Sequence, residues 1–222
     1  MITAGVGWVR SWADAGLLAE LRARVHLDQQ ARLRSPDVDW REVQEVDAAN
    51  LAWFRGVLAE LGWPDRSAAG EDGALQAWLL AQHADSDPAF QRHCHRLLGD
   101  AVARGEGSRS ELAYLTDRVL LAQKLPQLHG TQLTARGGRW TPRRLADPDG
   151  VDARRAAVGL PPLADYLATF AADPPPPNRV TIPCACGAES VVEGPEPGKP
   201  FELTCAACVR TTTLILTEVD GR

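Results

Sequence analysis

The sequence has no apolar run that approaches a membrane span, no excess of basic residues, no phosphate loop, no nucleophile motif and no internal repeat. Each gap argues against a class of function. A spanning helix needs about 20 consecutive apolar residues, and within residues 1–20 the stretch a signal peptide would keep apolar is broken by Arg10 and Asp14. Neither membrane insertion nor export is expected. The net charge of -5, from 24 Lys and Arg against 29 Asp and Glu, speaks against a protein that tracks phosphate backbones, because that affinity comes from clustered cations releasing counterions. Nucleic acid is a disfavoured partner. Cysteine is scarce: there are five, an odd number, and four of them form two tight pairs. That usage fits reduced thiols and metal better than a secreted disulfide framework, and places the protein in a reducing cytoplasm.

What is present is an ordinary globular composition, 45% hydrophobic and 24% charged, long enough for one domain plus an appendage. The spacing predicts a mainly α fold. Over residues 17–33, Leu18, Leu21 and Val25 mark one apolar stripe that Asp28 and Arg32 continue, with Ser35 and Pro36 as the stop. A second helix is expected after Asp47 as N-cap, with Asn50 on its first turn, running through Leu51, Phe54, Leu58 and Leu61 to Gly62 and Pro64. Residues 63–73, with two further glycines and a proline, read as a loop, and residues 74–83 as a third helix with Leu75, Trp78 and Leu79 inward. Asp87 and Pro88 are an N-cap and first-turn proline for a fourth helix that buries Phe90, Cys94, Leu97, Leu98 and Ala101 and closes at Gly105. Ser108 and Glu111 form a capping-box pattern for a fifth, with Leu112, Leu115 and Val119. A short β-hairpin is expected around Gly137 and Gly138, then short helices over residues 151–158 and 163–170.

Four consecutive prolines, Pro174 to Pro177, read as a stiff spacer. The expected organisation is a helical domain over residues 1–172, a proline-rich linker over 173–178 and a small β module over 179–222. In that module, strands are expected at residues 180–182, 201–204 and 211–216, with Cys184 and Cys186 after the first and Cys205 and Cys208 after the second. Two such pairs, eighteen residues apart, can bring four sulfurs to one tetrahedral ion, as in a zinc ribbon. The alternatives are a disulfide pair or a redox Cys-x-x-Cys; the latter wants a strand-to-helix context that Cys205 lacks. The first pair is Cys-x-Cys rather than Cys-x-x-Cys, and no glycine follows Cys208. With all four positions filled by sulfur the zinc is expected to be structural, with no open position for water.

In the helical part, Asp28, Gln29 and Arg32, the Gly62-Trp63-Pro64 turn, Gln82-His83-Ala84-Asp85, residues 112–118 and Gln127 through Gly130-Thr131-Gln132 occur in order. Asp147-Pro148 and Val151-Asp152-Ala153-Arg154-Arg155 follow. Over residues 17–167 this resembles an uncharacterised bacterial family, domain of unknown function 6624. The resemblance implies a mostly helical fold and supplies no activity, cofactor or catalytic residue. Members usually carry tyrosine before Gly-Thr-Gln, where this chain has His129, so no role of that hydroxyl carries over. The module with Cys184, Cys186, Cys205 and Cys208 lies outside the resemblance.

Judged by chemistry, His83 and Asp117 are the catalytic candidates, and Asp28, Arg32, Gln127 and Gln132 the ligand-binding candidates. His83 is expected to end a helix, where the backbone dipole favours a cation; the plainer reading is a capping histidine, since one histidine without a placed partner specifies nothing. Asp28 and Arg32, four apart on an apolar stripe, read as a partly buried ion pair that either orients a site or fixes packing. Asp117 and Arg118, with Gln127 and Gln132, could complete a pocket with His83. His93, Cys94 and His95 do not form a chelate on a helix, where adjacent side chains diverge, and Cys94 reads as a small core residue. Two functions follow: a binding or regulatory protein for another protein or a small polar ligand, with the zinc ribbon as a second contact surface, or a hydrolase- or transferase-type enzyme using His83. Fold alone does not choose between them.

Overall fold

The computed structural model describes residues 11–34, 38–136, 138–171, 179–193 and 200–215. They form seven helices and three two-stranded antiparallel sheets, in two compact units drawn from Met1–Gln132 with Arg144–Leu160, and from Leu133–Arg143 with Pro161–Arg222. The fold is mainly helical, as the apolar spacing predicts.

In the first unit, α1 (Ala15–Arg32) begins at Asp14, whose carboxylate accepts from the N–H groups of Gly16 and Leu17. It buries Leu17, Leu21, Val25, Asp28 and Ala31, a stripe at helical spacing in which one member is charged. Trp12 is buried before it and donates its indole N–H to the Gly62 carbonyl at 3.0 Å; Trp8, Ser35 and Pro36 lie outside the described residues.

The second helix starts earlier than expected. α2 (Trp40–Leu61) is capped by Asp39, which accepts from Arg41 and Glu42 N–H, so Asp47 and Asn50 lie inside the helix. Both aspartates are good caps by type; Asp47 is instead drawn to Arg32 of α1. The loop expected at residues 63–73 is mostly helix too. α3 (Arg66–Gln82) is capped by Asp65 and interrupted at Gly70, which takes φ 73, a left-handed conformation open to glycine at little cost. The glycine that suggested a loop marks a kink between two helical pieces, and His83 is the C-cap.

The later helices follow expectation. α4 (Pro88–Ala103) is capped by Asp87 with proline in its first turn, and α5 (Arg109–Ala122) by Ser108. α1 packs on α2 and α3, α4 packs on α5, and α3 also meets α2, α4 and α5. Leu21, Val25, Phe54, Val57, Leu80, Phe90, Leu98 and Leu115 form one core, and Phe54 and Phe90 meet edge to face with ring centres 6.0 Å apart. α6 (Val151–Ala157) buries Val151 and Arg155.

In the second unit, β1 (Leu133–Arg136) pairs with β2 (Arg139–Pro142), the hairpin expected around Gly138; Gly137 is outside the described residues. α7 (Leu163–Ala168) is followed by Phe170, which packs against Tyr166 and Trp140. Residues 172–178, with the proline run, and Leu216 are also outside. β3 (Arg179–Pro183) pairs with β4 (Glu189–Glu193), and β5 (Pro200–Thr204) with β6 (Thr211–Ile215). β4 is an addition to the three strands read from sequence.

Leu115 is fully buried in the helical core. Leu115→Ala is expected to lower stability by about 2–5 kcal/mol through lost transfer energy and an unfilled cavity, read as a lower midpoint in urea unfolding followed by helical circular dichroism.

Candidate functional site

Two buried carboxylates organise the polar part of the first unit. Asp28 is 1% exposed on the α1 stripe, where an unpaired charge would be costly, and it is fully engaged. Arg32 Nε donates to Oδ1 at 3.1 Å, Gln29 Nε2 to Oδ2 at 2.7 Å, and His83 Nδ1 lies 2.9 Å from both oxygens. An ionised carboxylate can only accept, so the His83 proton sits on Nδ1. Burial pushes the Asp28 carboxyl up, but His83, Arg32 and Gln29 outweigh it and hold the group below its usual range.

From α2, Asp47 accepts from Arg32 Nη2 at 2.5 Å. Burial raises the Asp47 carboxyl, and the guanidinium only partly offsets this. One cation thus bridges two carboxylates. Ligand atoms of Asp28, Asp47 and His83 all lie within 4.8 Å of one another. The side chains of His83, Arg32 and Asp47 are 14%, 21% and 19% exposed, whereas that of Asp28 is buried, so the cluster is partly open to solvent.

After His83 the chain turns into α4, held by the buried Gln91. Its Nε2 donates to the carbonyls of Ala81 and Gln82 and to Asp85 Oδ1, and Asp85 Oδ2 accepts from Arg118 at 2.6 Å. Asp85 belongs to that turn.

Asp117 has another role. It is fully buried and accepts from the backbone N–H groups of Leu128, His129 and Thr131, from Thr131 Oγ1 and, at 3.3 Å, from His129 Nδ1. Burial raises its carboxyl, and these donors, His129 first, more than compensate and leave it below its usual range. Gln127 braces the same loop reciprocally: Nε2 donates to the Gln132 carbonyl and Oε1 accepts from Gln132 N–H. Arg154 donates to the carbonyls of Leu128, Ala146 and Asp147, and the buried Arg155 to that of His129. Asp117, Gln127 and Gln132 therefore converge on their own loop, while Asp28, Arg32 and His83 converge with Asp47.

Asp47 escaped the sequence reading of the site because its residue type favours an N-cap. The available signal was that Asp47 and Asn50 fall at helical spacing with Val43, Phe54 and Val57, all but Asp47 buried. No spacing or residue pattern in the sequence marks His129, Thr131 and Arg155 as partners of one network. Their roles come from backbone geometry that residue type does not encode. Cys94 is buried, and burial pushes its thiol up to about 12, which makes it a core residue rather than a nucleophile.

In the second unit, each cysteine pair sits on a turn beside a hairpin. Cys184 N–H donates to the Ala188 carbonyl and Gly187 N–H to that of Cys184; Cys205 N–H donates to Arg210 and Val209 N–H to Cys205. Gly187 has φ 87, and Val209, in the corresponding place after Cys208, has φ 56. The missing glycine is thus replaced by a β-branched residue held in a conformation it rarely adopts. Cys184 and Cys208 sulfurs are 3.6 Å apart, those of Cys186 and Cys205 3.7 Å, and all four lie within 4.8 Å. The thiols are free. Backbone N–H groups of Cys208 and Ala207 favour the Cys205 thiolate and lower its pKa to about 6. The Ala188 N–H likewise favours the Cys186 thiolate, yet the neighbouring thiols hold that group at about 11. Four sulfurs at this spacing are compatible with a metal site.

Asp117→Ala is expected to cost about 3 kcal/mol or more, because it strands buried donors on the 128–131 loop. Since the folded pKa of Asp117 is lowered, its contribution is complete above the usual aspartate value of about 3.9 and is lost as pH falls through the folded value. Asp117→Asn should therefore show a shallower loss of stability in acid than the unaltered chain, measured by urea midpoints between about pH 5 and pH 2.

Among the described residues, no helix is long and apolar enough to cross a membrane. No curated protein and no solved structure matches the chain. A family match covers both carboxylate networks and stops before the four clustered cysteines: residues 17–173 fit the model of the Family of unknown function (DUF6624), to which this chain belongs.

Proposed function

We propose that this chain is a binding protein whose working part is the helical domain and whose C-terminal module is organised by a structural zinc ion. The observation that carries the reading is the Asp28 cluster: a carboxylate buried to 1% exposure holds His83 in place, beside the partly open Arg32 and Asp47. Orienting an imidazole through a buried carboxylate limits its rotation and fixes which nitrogen carries the proton. Such pre-organisation suits recognition of a small polar ligand.

Zinc is supported by sulfur geometry. At a Zn–S distance of about 2.3 Å, tetrahedral sulfurs lie about 3.8 Å apart, against 3.6 and 3.7 Å here. A disulfide would need the sulfurs at about 2.05 Å. The described parts of the module offer little core, with Ile182, Val192, Leu203 and Leu214 only half-buried. A structural zinc contributes an apparent 10–16 kcal/mol or so, enough to order such a module. Four thiolates leave the ion no open position.

The same Asp28–His83 pair supports a second reading, a hydrolase- or transferase-type enzyme. In it His83 Nε2, which has no hydrogen bond among the described residues, moves a proton to or from the substrate.

Elemental analysis is expected to find one zinc per chain, and Cys205→Ser to lose both the metal and the order of the module. A folded, metal-free module would contradict this. A thermal-shift screen of polar metabolites should give ligands that stabilise the unaltered chain and not His83→Ala; identical profiles for the two proteins would remove His83 from the site.

A further inference from the structure

We propose that Asp28, Asp47 and His83 form a second metal site, for a divalent first-row ion bound by oxygen and nitrogen, with Arg32 as an outer partner. The inference rests on the reading that this cluster is the binding site of the helical domain, and it names what binds first.

Three separate segments supply one ligand each: α1 gives Asp28, α2 gives Asp47 and the end of α3 gives His83. At metal–ligand distances of about 2.0–2.2 Å, donors at right angles around an ion lie about 3 Å apart. His83 Nδ1 is 2.9 Å from both Asp28 oxygens. An N–H bonded to a carboxylate can satisfy itself on one lone pair. Equal reach to both oxygens is what a two-toothed carboxylate and an imidazole adopt around a shared point. No pair in the Asp28, Asp47 and His83 set exceeds 4.8 Å.

Charge agrees with this. Asp28 and Asp47 bring two negative charges, and among the described residues Arg32 is the one permanent cation bonded to them. Arg32 and Gln29 occupy one lone pair on each Asp28 oxygen, and an ion would take the pairs that now face the His83 Nδ1 proton. A guanidinium that bridges two metal-binding carboxylates from behind is an outer-shell support.

A second, independent observation points to what the ion would carry. Asn50, one turn beyond Asp47, and Gln82, next to His83, are 6% and 4% exposed, and their amide nitrogens Nδ2 and Nε2 have no hydrogen-bond partner among the described residues. Buried donors of this kind are rare. Three protein ligands leave coordination positions open for oxygens of water or of a substrate, the kind of acceptor that these two buried amides lack. The site thus differs in kind from the four cysteines: it is open and rich in oxygen, suited to an ion of intermediate hardness, where the sulfur site is closed and soft.

An ion at this place takes the position of the Nδ1 proton that His83 donates to Asp28. The test is a Mn2+ titration of the full, zinc-loaded chain followed by electron paramagnetic resonance of free Mn2+. One Mn2+ per chain is expected, bound at least about tenfold more weakly by Asp47→Asn and by His83→Ala. Mn2+ that stays free up to about 1 mM, or that binds equally to both variants, overturns the proposal. Should either variant fail to fold, the unaltered protein decides: bound Mn2+ must broaden the ring signals of His83 and the side-chain amide signals of Asn50 and Gln82 first, and broadening confined to other residues overturns the site. Metabolite binding that needs His83 without any Mn2+ binding would leave the binding reading standing and remove the ion.

Discussion

The helical domain depends on a charge placed where the apolar pattern calls for a hydrophobic side chain. Asp28 continues the stripe of Leu21 and Val25 and is buried with them, and a carboxylate in that position is tolerable only if its lone pairs are filled. Gln29 and Arg32 fill them from the same helix, and His83 fills them from the end of α3. Arg32 then reaches Asp47 in α2. The requirement to satisfy one buried anion thereby ties the three helices that meet at the cluster. Removing a single partner leaves the others with uncompensated charge, which is why such networks act as units.

Asp117 repeats the device with a different result. Its partners are mostly backbone N–H groups of residues 128–131, so it fixes the path of a loop rather than the orientation of a functional side chain. It leaves no face open, whereas the Asp28 cluster does. This difference in accessibility, and not the residue types, separates an anchor from a candidate site.

Much of this was legible in the sequence. The stripe of α1, the caps at Asp87 and Ser108 and the paired cysteines all express local rules in which residue type and spacing suffice. The errors came where two positions satisfied the same rule. Asp39 and Asp47 are equally good N-caps by type; Asp39 caps α2, and Asp47 lies inside it, bonded to Arg32 of α1. Gly70 is as suited to a loop as to a kink, and the apolar packing of α3 on α1 settles it as a kink. The convergence of Asp28, Asp47 and His83 was not legible at all, because it depends on how three helices cross.

Order is reached by different means in the first unit and around the cysteines. The first unit has a core that spans α1 to α5, whereas the two cysteine-bearing hairpins have half-buried apolar residues and four clustered thiols. The account of the helical domain stands on the Asp28–His83 bond, and a double-mutant cycle tests it most directly. Asp28→Asn, His83→Gln and the double variant are compared by urea unfolding. A coupling energy of about 1 kcal/mol or more is predicted, as for residues in one buried network; additive losses, with coupling near zero, would contradict it.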